Sequence, residues 1–308
     1  MTLPVVDAGA LAPLLPIDAA VDALQAAFGA DALPEAPLRS HLETRSGTLF
    51  VMPAVGPQGV GVKLVTLTPG NPGRGLPFIN AMYVLFARDT QVPVAVIDGA
   101  ALTALRTAAV SGLATRFLAN PDASRLVIFG AGVQARSHLT AMRAVRPIAR
   151  LTVVSRSGER AEALTAEARA LGLEAERGDP DAVADADLIC TCTTSDKPVF
   201  DGRLLAAGAH VNAVGAYRPD TRELDDETVR RARVVVETRE VALAEAGDLL
   251  VPMERGVIGP DHIVADLSQL VRGAEVRRSP ADVTVFKSVG VALEDLVVAK
   301  AVADRMGS

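Results

Sequence analysis

The chain has 308 residues, enough for two domains of roughly 100 to 200 residues each, and its 31 Lys and Arg against 37 Asp and Glu give a net charge of −6. That balance argues against a general nucleic-acid binder or a protein held on anionic lipid by a basic surface. Aromatic residues make up only 3% of the chain and Trp is absent, which argues against a base- or sugar-stacking platform, while 49% hydrophobic content suffices for buried cores.

The first third reads as α+β. Residues 17–30 carry Ile17, Val21, Leu24 and Phe28 at helical spacing behind Pro16. Short strand-like runs follow at 47–52, 59–67, 78–86 and 92–97, and the Pro- and Gly-rich stretch 68–77 is a loop. A helical pattern over 100–118 ends at Asn120-Pro121. Asp7 and Asp18 interrupt the N-terminal stretch and no basic segment precedes it, so no signal peptide is expected. With no run of about 18 uncharged apolar residues, a cytoplasmic, globular protein is expected.

From residue 125 the rhythm changes to alternating strands and helices. Strands are expected at 125–130, 151–155, 187–191, 210–214, 233–237 and 282–286, with helices at 133–145 and 161–171 and a last helix at 291–306. Such alternation predicts a doubly wound α/β domain built on a parallel sheet covered on both faces.

Gly130-Ala131-Gly132-Val133-Gln134-Ala135 follows the first of these strands and opens a helix. Gly130 permits the turn, Gly132 lets the backbone approach a pyrophosphate, and Ala135 lets helix and strand pack closely. The helix start offers unpaired N–H groups to the phosphates. The next strand ends in Ser155-Arg156-Ser157, where an NAD site usually has an acid for the ribose hydroxyls. An Arg between two hydroxyls suits a 2′-phosphate, so NADP(H) is favoured and NAD(H) stays possible; the plain alternative for Arg156 is an exposed loop residue.

Charge is uneven along the chain. Between His41 and Arg116 stand Arg45, Lys63, Arg74, Arg88, Arg106 and Arg116 against Glu43, Asp89 and Asp98, so this window is +3 and the remainder −9. Lys63 lies inside an apolar strand and Arg106 on an apolar helix, and a charge on a core-like element needs a partner. Two readings stand: internal ion pairs, or a pocket in which Arg45, Lys63 and Arg106 hold a carboxylate. The other polar residues read as structural. Cys190 and Cys192 are too few for a disulfide framework and read as packing, the four His lack ligand spacing, so no metal is expected, and Glu245, Asp248 and Glu254 read as a solvated loop face.

Several strings together resemble the ornithine cyclodeaminase/μ-crystallin family. They are Arg45 followed by Met52-Pro53, GVKLVTLTPGN at 61–71, LTALRTAAVS at 102–111, FGAGVQA at 129–135, NAVGAYRPDTRELDDE at 212–227, EAGDL at 245–249 and FKSVGVALEDLVVAK at 286–300. They keep the family's order over nearly the whole chain. The resemblance implies a Rossmann NAD(P)-binding domain over 119–289 and a discontinuous α+β substrate-binding and dimerisation domain over 1–118 and 290–308, in a homodimer acting on a small imino or amino acid. It implies that Arg45, Lys63 and Arg106 hold the substrate carboxylate, with Asn80 near the nicotinamide. Thr107, Val214, Lys287, Ser288 and Gly290 would lie along the cofactor. Cyclodeaminases resemble A-V-G-G-D where this chain reads Ala213-Val214-Gly215-Ala216-Tyr217, so Tyr217 stands at their acid/base position, with Asp220 close in sequence. Lys63, Tyr217, Asp220 and Lys287 are therefore the candidate catalytic residues. The departure favours an NAD(P)H-dependent reductase of cyclic ketimine carboxylates, Δ1-pyrroline-2-carboxylate or Δ1-piperideine-2-carboxylate. The alternatives are ornithine cyclodeamination to proline and ammonia, an alanine- or opine-type dehydrogenase, and a non-catalytic NADPH-binding protein.

Overall fold

The computed structural model describes residues 3–306. It divides into two compact units, one formed by the chain up to Ala109 and again from Val291, the other by Val110–Gly290. The first break was expected near residue 118. The units part instead between Ala109 and Val110, inside one continuous helix, where no turn residue marks a boundary.

The first unit contains β1 (Val5–Val6), α1 (Ala8–Leu14), α2 (Ile17–Gly29), β2 (Ser40–Thr44), β3 (Gly47–Gly56), β4 (Gly59–Leu67), β5 (Ile79–Phe86), β6 (Pro93–Asp98) and the start of α3 (Gly99–Leu118). Its sheet runs in the order β1-β6-β5-β4-β3-β2, antiparallel from β6 to β2 with β1 added parallel to β6. Strand alternation decides what is buried. In β4, Gly61, Lys63 and Val65 face inward while Leu64 and Thr66 face out. The C-terminal helix, Ala292–Arg305, packs on β3, β4 and α2, whose Ala20, Val21, Leu24 and Phe28 are buried. Lys63 thus takes a core position in a layer of sheet on helix.

The second unit is an eight-stranded parallel sheet. In chain order it comprises β7 (Arg125–Phe129), α4 (Val133–Val145), β8 (Arg150–Val154), α5 (Gly158–Ala170), β9 (Glu174–Arg177), β10 (Leu188–Thr191) and β11 (His210–Ala213). Then come α6 (Asp226–Arg231), β12 (Arg233–Val236), α7 (Arg239–Glu245), α8 (Gly247–Glu254), β13 (Ile263–Asp266), α9 (Leu267–Val271) and β14 (Thr284–Lys287). The order β13-β12-β14-β11-β10-β7-β8-β9 reverses between β7 and β10, the switch point of a doubly wound Rossmann sheet. The central strands β10, β11 and β14 are buried at every residue, as a sheet covered on both faces requires. Strands β2 and β9 escape the sequence pattern because they are exposed edges with the polar sequences SHLET and EAER. No single helix among the described residues is long and apolar enough to cross a membrane.

Candidate active site

In the second unit the loop after β7 has the form that its glycines imply. Gly130 has φ +102°, and a Cβ there would lie 2.4 Å from the Cys192 carbonyl oxygen just beyond β10, so both its backbone and its surroundings demand glycine. A Cβ on Gly132 would meet nothing within 4 Å, which leaves open space over the loop. Gly132 caps α4 without a side-chain hydrogen bond, so the first N–H groups of that helix are left for a ligand. Val133 is exposed beside them, while Ala135 is sealed against the sheet. The Gln134 carbonyl is bonded to His138 Nδ1 at 2.8 Å, and Arg136 donates to the Ala131 carbonyl at 3.1 Å, which steadies the loop from below. Gln134 Oε1 is buried without a partner among the described residues. An open cradle and an uncapped helix start fit the pyrophosphate of a dinucleotide.

Past β8, the Ser157 hydroxyl accepts from Arg160 N and caps α5, while Ser157 N donates to the Ser155 hydroxyl. Arg156 is exposed, and the only acid in the first turn of α5 is Glu159.

The candidate catalytic residues of this unit are less available than their sequence positions suggest. Lys287 is fully buried; its ammonium pairs with Asp248 at 2.7 Å and donates to the carbonyls of Ala216 and Ala213. Asp248 is therefore no part of a solvated loop face: it is buried, and it also accepts from the backbone N–H groups of Glu223 and Leu224. Glu223 in turn accepts from Thr191, from both N–H and hydroxyl of Thr193, and from Gly215 N. Burial and the neighbouring Asp248 raise its pKa. These groups tie together the chain ends after β10, β11 and β14, and Lys287 holds that network rather than offering a free proton. Ser288 donates to Glu237 at 2.6 Å, and Gly290 N donates to the same carboxylate, which fixes the exit from β14. Val214, just after β11, is half-buried, with its N–H on the Thr191 carbonyl. Tyr217 is half-buried. Asp220 corrects an expectation: it is exposed and forked onto Arg218 at 2.7 and 3.0 Å, and that hydrogen bond lowers its pKa. A carboxylate held ionised in this way is a poor proton reservoir near neutral pH. The Cys190 thiol is pushed up to about 12 by burial and serves packing.

In the first unit, Lys63 and Arg106 come together. Lys63 Nζ meets both oxygens of Asp295 at 2.8 and 2.7 Å. Arg106 pairs with Glu294 at 2.8 Å and reaches Asp295 at 3.4 Å. Both acids lie in the first turn of the C-terminal helix, where its dipole favours negative charge. Burial above all, partly offset by Asp295, lowers the Lys63 pKa to about 8. Thr107 Oγ1 is buried with no hydrogen-bond partner among the described residues.

Arg45 does not join this cluster. It sits in the exposed turn after the Thr44–Gly47 pair, whereas Lys63 pairs with Met52, about 17 Å further along β3 at ~3.4 Å per residue. Arg39 lies nearer to Lys63. Ser40 pairs with Val51, and extending that register by one residue sets Arg39 beside Met52, in the cross-sheet row that continues through Lys63 and Tyr83. Its charge contributes to lowering the Lys63 pKa, and its guanidinium lies 6.0 Å from the Phe50 ring. Sequence reading missed Arg39 because β2 shows no alternation; the register of β2 on β3 reveals it. Asn80 is also displaced from its expected role. It is exposed and three residues from Tyr83, so the pleat turns it to the face opposite Lys63.

Comparison with known proteins agrees with this architecture. The ornithine cyclodeaminase/mu-crystallin family profile matches residues 7–308. A Delta(1)-pyrroline-2-carboxylate reductase of Bacillus cereus is 38% identical over 283 residues, covering 87% of this chain and 85% of that protein. The ketimine reductase mu-crystallin of Rattus norvegicus is 40% identical over 267 residues, covering 85% and 82%. Among solved structures, Thermococcus litoralis Delta(1)-pyrroline-2-carboxylate reductase in complex with NADH and L-proline aligns over 98% of this chain and 97% of that one, with TM-score 0.92 and 34% identity.

Proposed function

The chain belongs to the ornithine cyclodeaminase/mu-crystallin family, and we propose that it reduces a cyclic ketimine carboxylate to the amino acid with a nicotinamide dinucleotide. Δ1-Pyrroline-2-carboxylate and Δ1-piperideine-2-carboxylate are the substrates of choice. Relatives at 38 and 40% identity carry reductase names. The observation that carries the choice of reduction over deamination is the state of Asp220. With Tyr217 at the cyclodeaminase acid/base position, Asp220 is the acid closest to it in sequence, and Asp220 is committed to Arg218 on the surface.

Arg39, Lys63 and Arg106 hold the substrate carboxylate, Arg39 replacing Arg45 in this role. Asp295 and Glu294 keep two of these bases oriented, so little side-chain ordering remains to be done on binding. A bound reduced nicotinamide supplies the hydride. The glycine loop at 130–135 and the first turn of α4 hold its pyrophosphate. A protonated imine carries its own positive charge, so the reaction asks little acid catalysis of the protein and much positioning and exclusion of water. That demand agrees with a site whose lysines are anchored in ion pairs.

The cofactor is NADP(H) in preference to NAD(H), because Arg156 is an exposed base at the end of β8, at the position usual for an acid. The protein is a homodimer. The outer face of the first unit's sheet exposes Leu42, Val55, Leu64 and Met82, an apolar patch of the kind that marks interfaces, and a second copy covers it. Sedimentation of wild type and a Leu64→Lys, Met82→Lys variant tests this: the variant sediments as a monomer, and an unchanged dimer excludes this face. The activity is tested by following oxidation of NADPH and NADH with each ketimine. Turnover supports the reading; ammonia release from ornithine without added reductant contradicts it.

A further inference from the structure

Gly158 opens α5 two residues after Arg156, and a Cβ built on it would lie 3.0 Å from Nη2 and 3.3 Å from Cζ of Arg177. The guanidinium of Arg177, the last residue of β9, therefore lies close against the start of α5, in space that a Cβ at position 158 would tighten. This follows from the sheet: β8 and β9 are parallel neighbours, Val153 pairs with Arg177, and their C-terminal ends emerge side by side. Neither Arg156 nor Arg177 has a hydrogen-bond or ion-pair partner among the described residues, and both are exposed. Many other surface arginines of this unit, by contrast, are paired, as Arg125 is with Asp187, Arg150 with Glu174 and Arg169 with Glu162. Two exposed guanidinium groups thus flank the positive end of a 13-residue helix in sequence and in the sheet, with no anion among the described residues to neutralise them. A dianion would find both charges and the helix end favourable.

We propose that Arg177 is a specificity-determining residue that, with Arg156, clamps the 2′-phosphate of NADP(H) against the start of α5. This deepens the NADP(H) preference proposed above and rests on it. The hydroxyls of Ser155 and Ser157 accept backbone N–H groups, so their own hydrogens can donate to the same phosphate. Two forks from adjacent strands grip a phosphate from two sides, which one flexible arginine does not do. A β-branched residue at position 158 would push the Arg177 guanidinium aside.

Calorimetric binding of 2′,5′-ADP and 5′-AMP to the whole enzyme tests this without turnover. The wild type binds 2′,5′-ADP more tightly. Arg177→Ala weakens 2′,5′-ADP by about tenfold or more and 5′-AMP by less than about twofold, and Arg177→Lys recovers part of the loss. If wild type does not distinguish the two probes, the NADP(H) reading itself fails. If wild type distinguishes them and Arg156→Ala abolishes the distinction while Arg177→Ala leaves it, the cofactor reading stands and the role of Arg177 is overturned. Equal losses for both probes in Arg177→Ala also overturn it.

Discussion

Lys63 and Asp295 are 232 positions apart in sequence and meet, both buried, at 2.7 and 2.8 Å in the first unit. The chain's return after Gly290 exists for contacts such as this, because the C-terminal helix delivers Glu294 and Asp295 to bases on β4 and α3. Removing one partner strands a buried charge, which costs roughly 3–5 kcal/mol, whereas replacing both with apolar groups costs much less. Urea unfolding is expected to show Asp295→Asn destabilised by about that amount and Lys63→Met/Asp295→Leu destabilised less. A double variant weaker than the single would contradict the buried-pair account.

Arg39 and Arg45 separate the two assignments of the carboxylate site. Arg39→Ala is expected to raise KM for the ketimine by about tenfold or more, the loss of one charge-assisted contact. Arg45→Ala, in an exposed turn, is expected to change KM by less than about twofold. Steady-state kinetics at saturating cofactor distinguish them, and the reverse order would restore Arg45.

Lys63 gives the site a pH dependence. Its pKa is lowered to about 8, so below that pH it is charged and can attract the carboxylate of the proposed substrate, and above it the charge is lost. KM for the ketimine is expected to be flat below about pH 8 and to rise above it. In Lys63→Arg the rise moves to higher pH, because a guanidinium stays protonated. An identical profile in both enzymes would assign the titration elsewhere.

What the sequence showed depended on the range of the signal. The strand-to-helix glycine loop was legible because strand, Gly130, Gly132 and helix are contiguous, and the parallel sheet because most of its inner strands are largely apolar runs. The core charges Lys63 and Arg106 were legible as anomalies in apolar elements. Arg39 was not, since its neighbourhood depends on the register of an exposed edge strand. The +3 window, begun at His41, stops two residues short of it. Asn80 failed for a related reason: a motif position does not say which way a pleat points. Asp248 failed because its partner, Lys287, arrives from a strand nearly forty residues further along the chain, and an acid without its partner reads as solvated.

The second unit carries an acid sensitivity in its core. His138 is buried between Ser111 and the Gln134 carbonyl, and burial lowers its pKa to about 4. An unfolded chain protonates this imidazole near pH 6.5, so stability is full above that pH and is lost as pH falls towards 4. At pH 5 the loss is about 2 kcal/mol at 1.36 kcal/mol per pKa unit. His210, lowered to about 3 by the same cause, adds in the same direction. Denaturant midpoints at pH 7 and pH 5 are expected to fall on acidification, and to fall less in His138→Gln. An equal fall in both proteins would exclude His138.

Reduction of a cyclic ketimine and deamination of ornithine leave different products. Purified enzyme incubated with Δ1-pyrroline-2-carboxylate and NADPH, and in parallel with ornithine and NAD+, distinguishes them in one experiment. NADPH oxidation with stoichiometric proline is expected in the first vessel and no ammonia in the second. Ammonia and proline from ornithine, with no oxidation of NADPH by the ketimine, would contradict the proposed reduction.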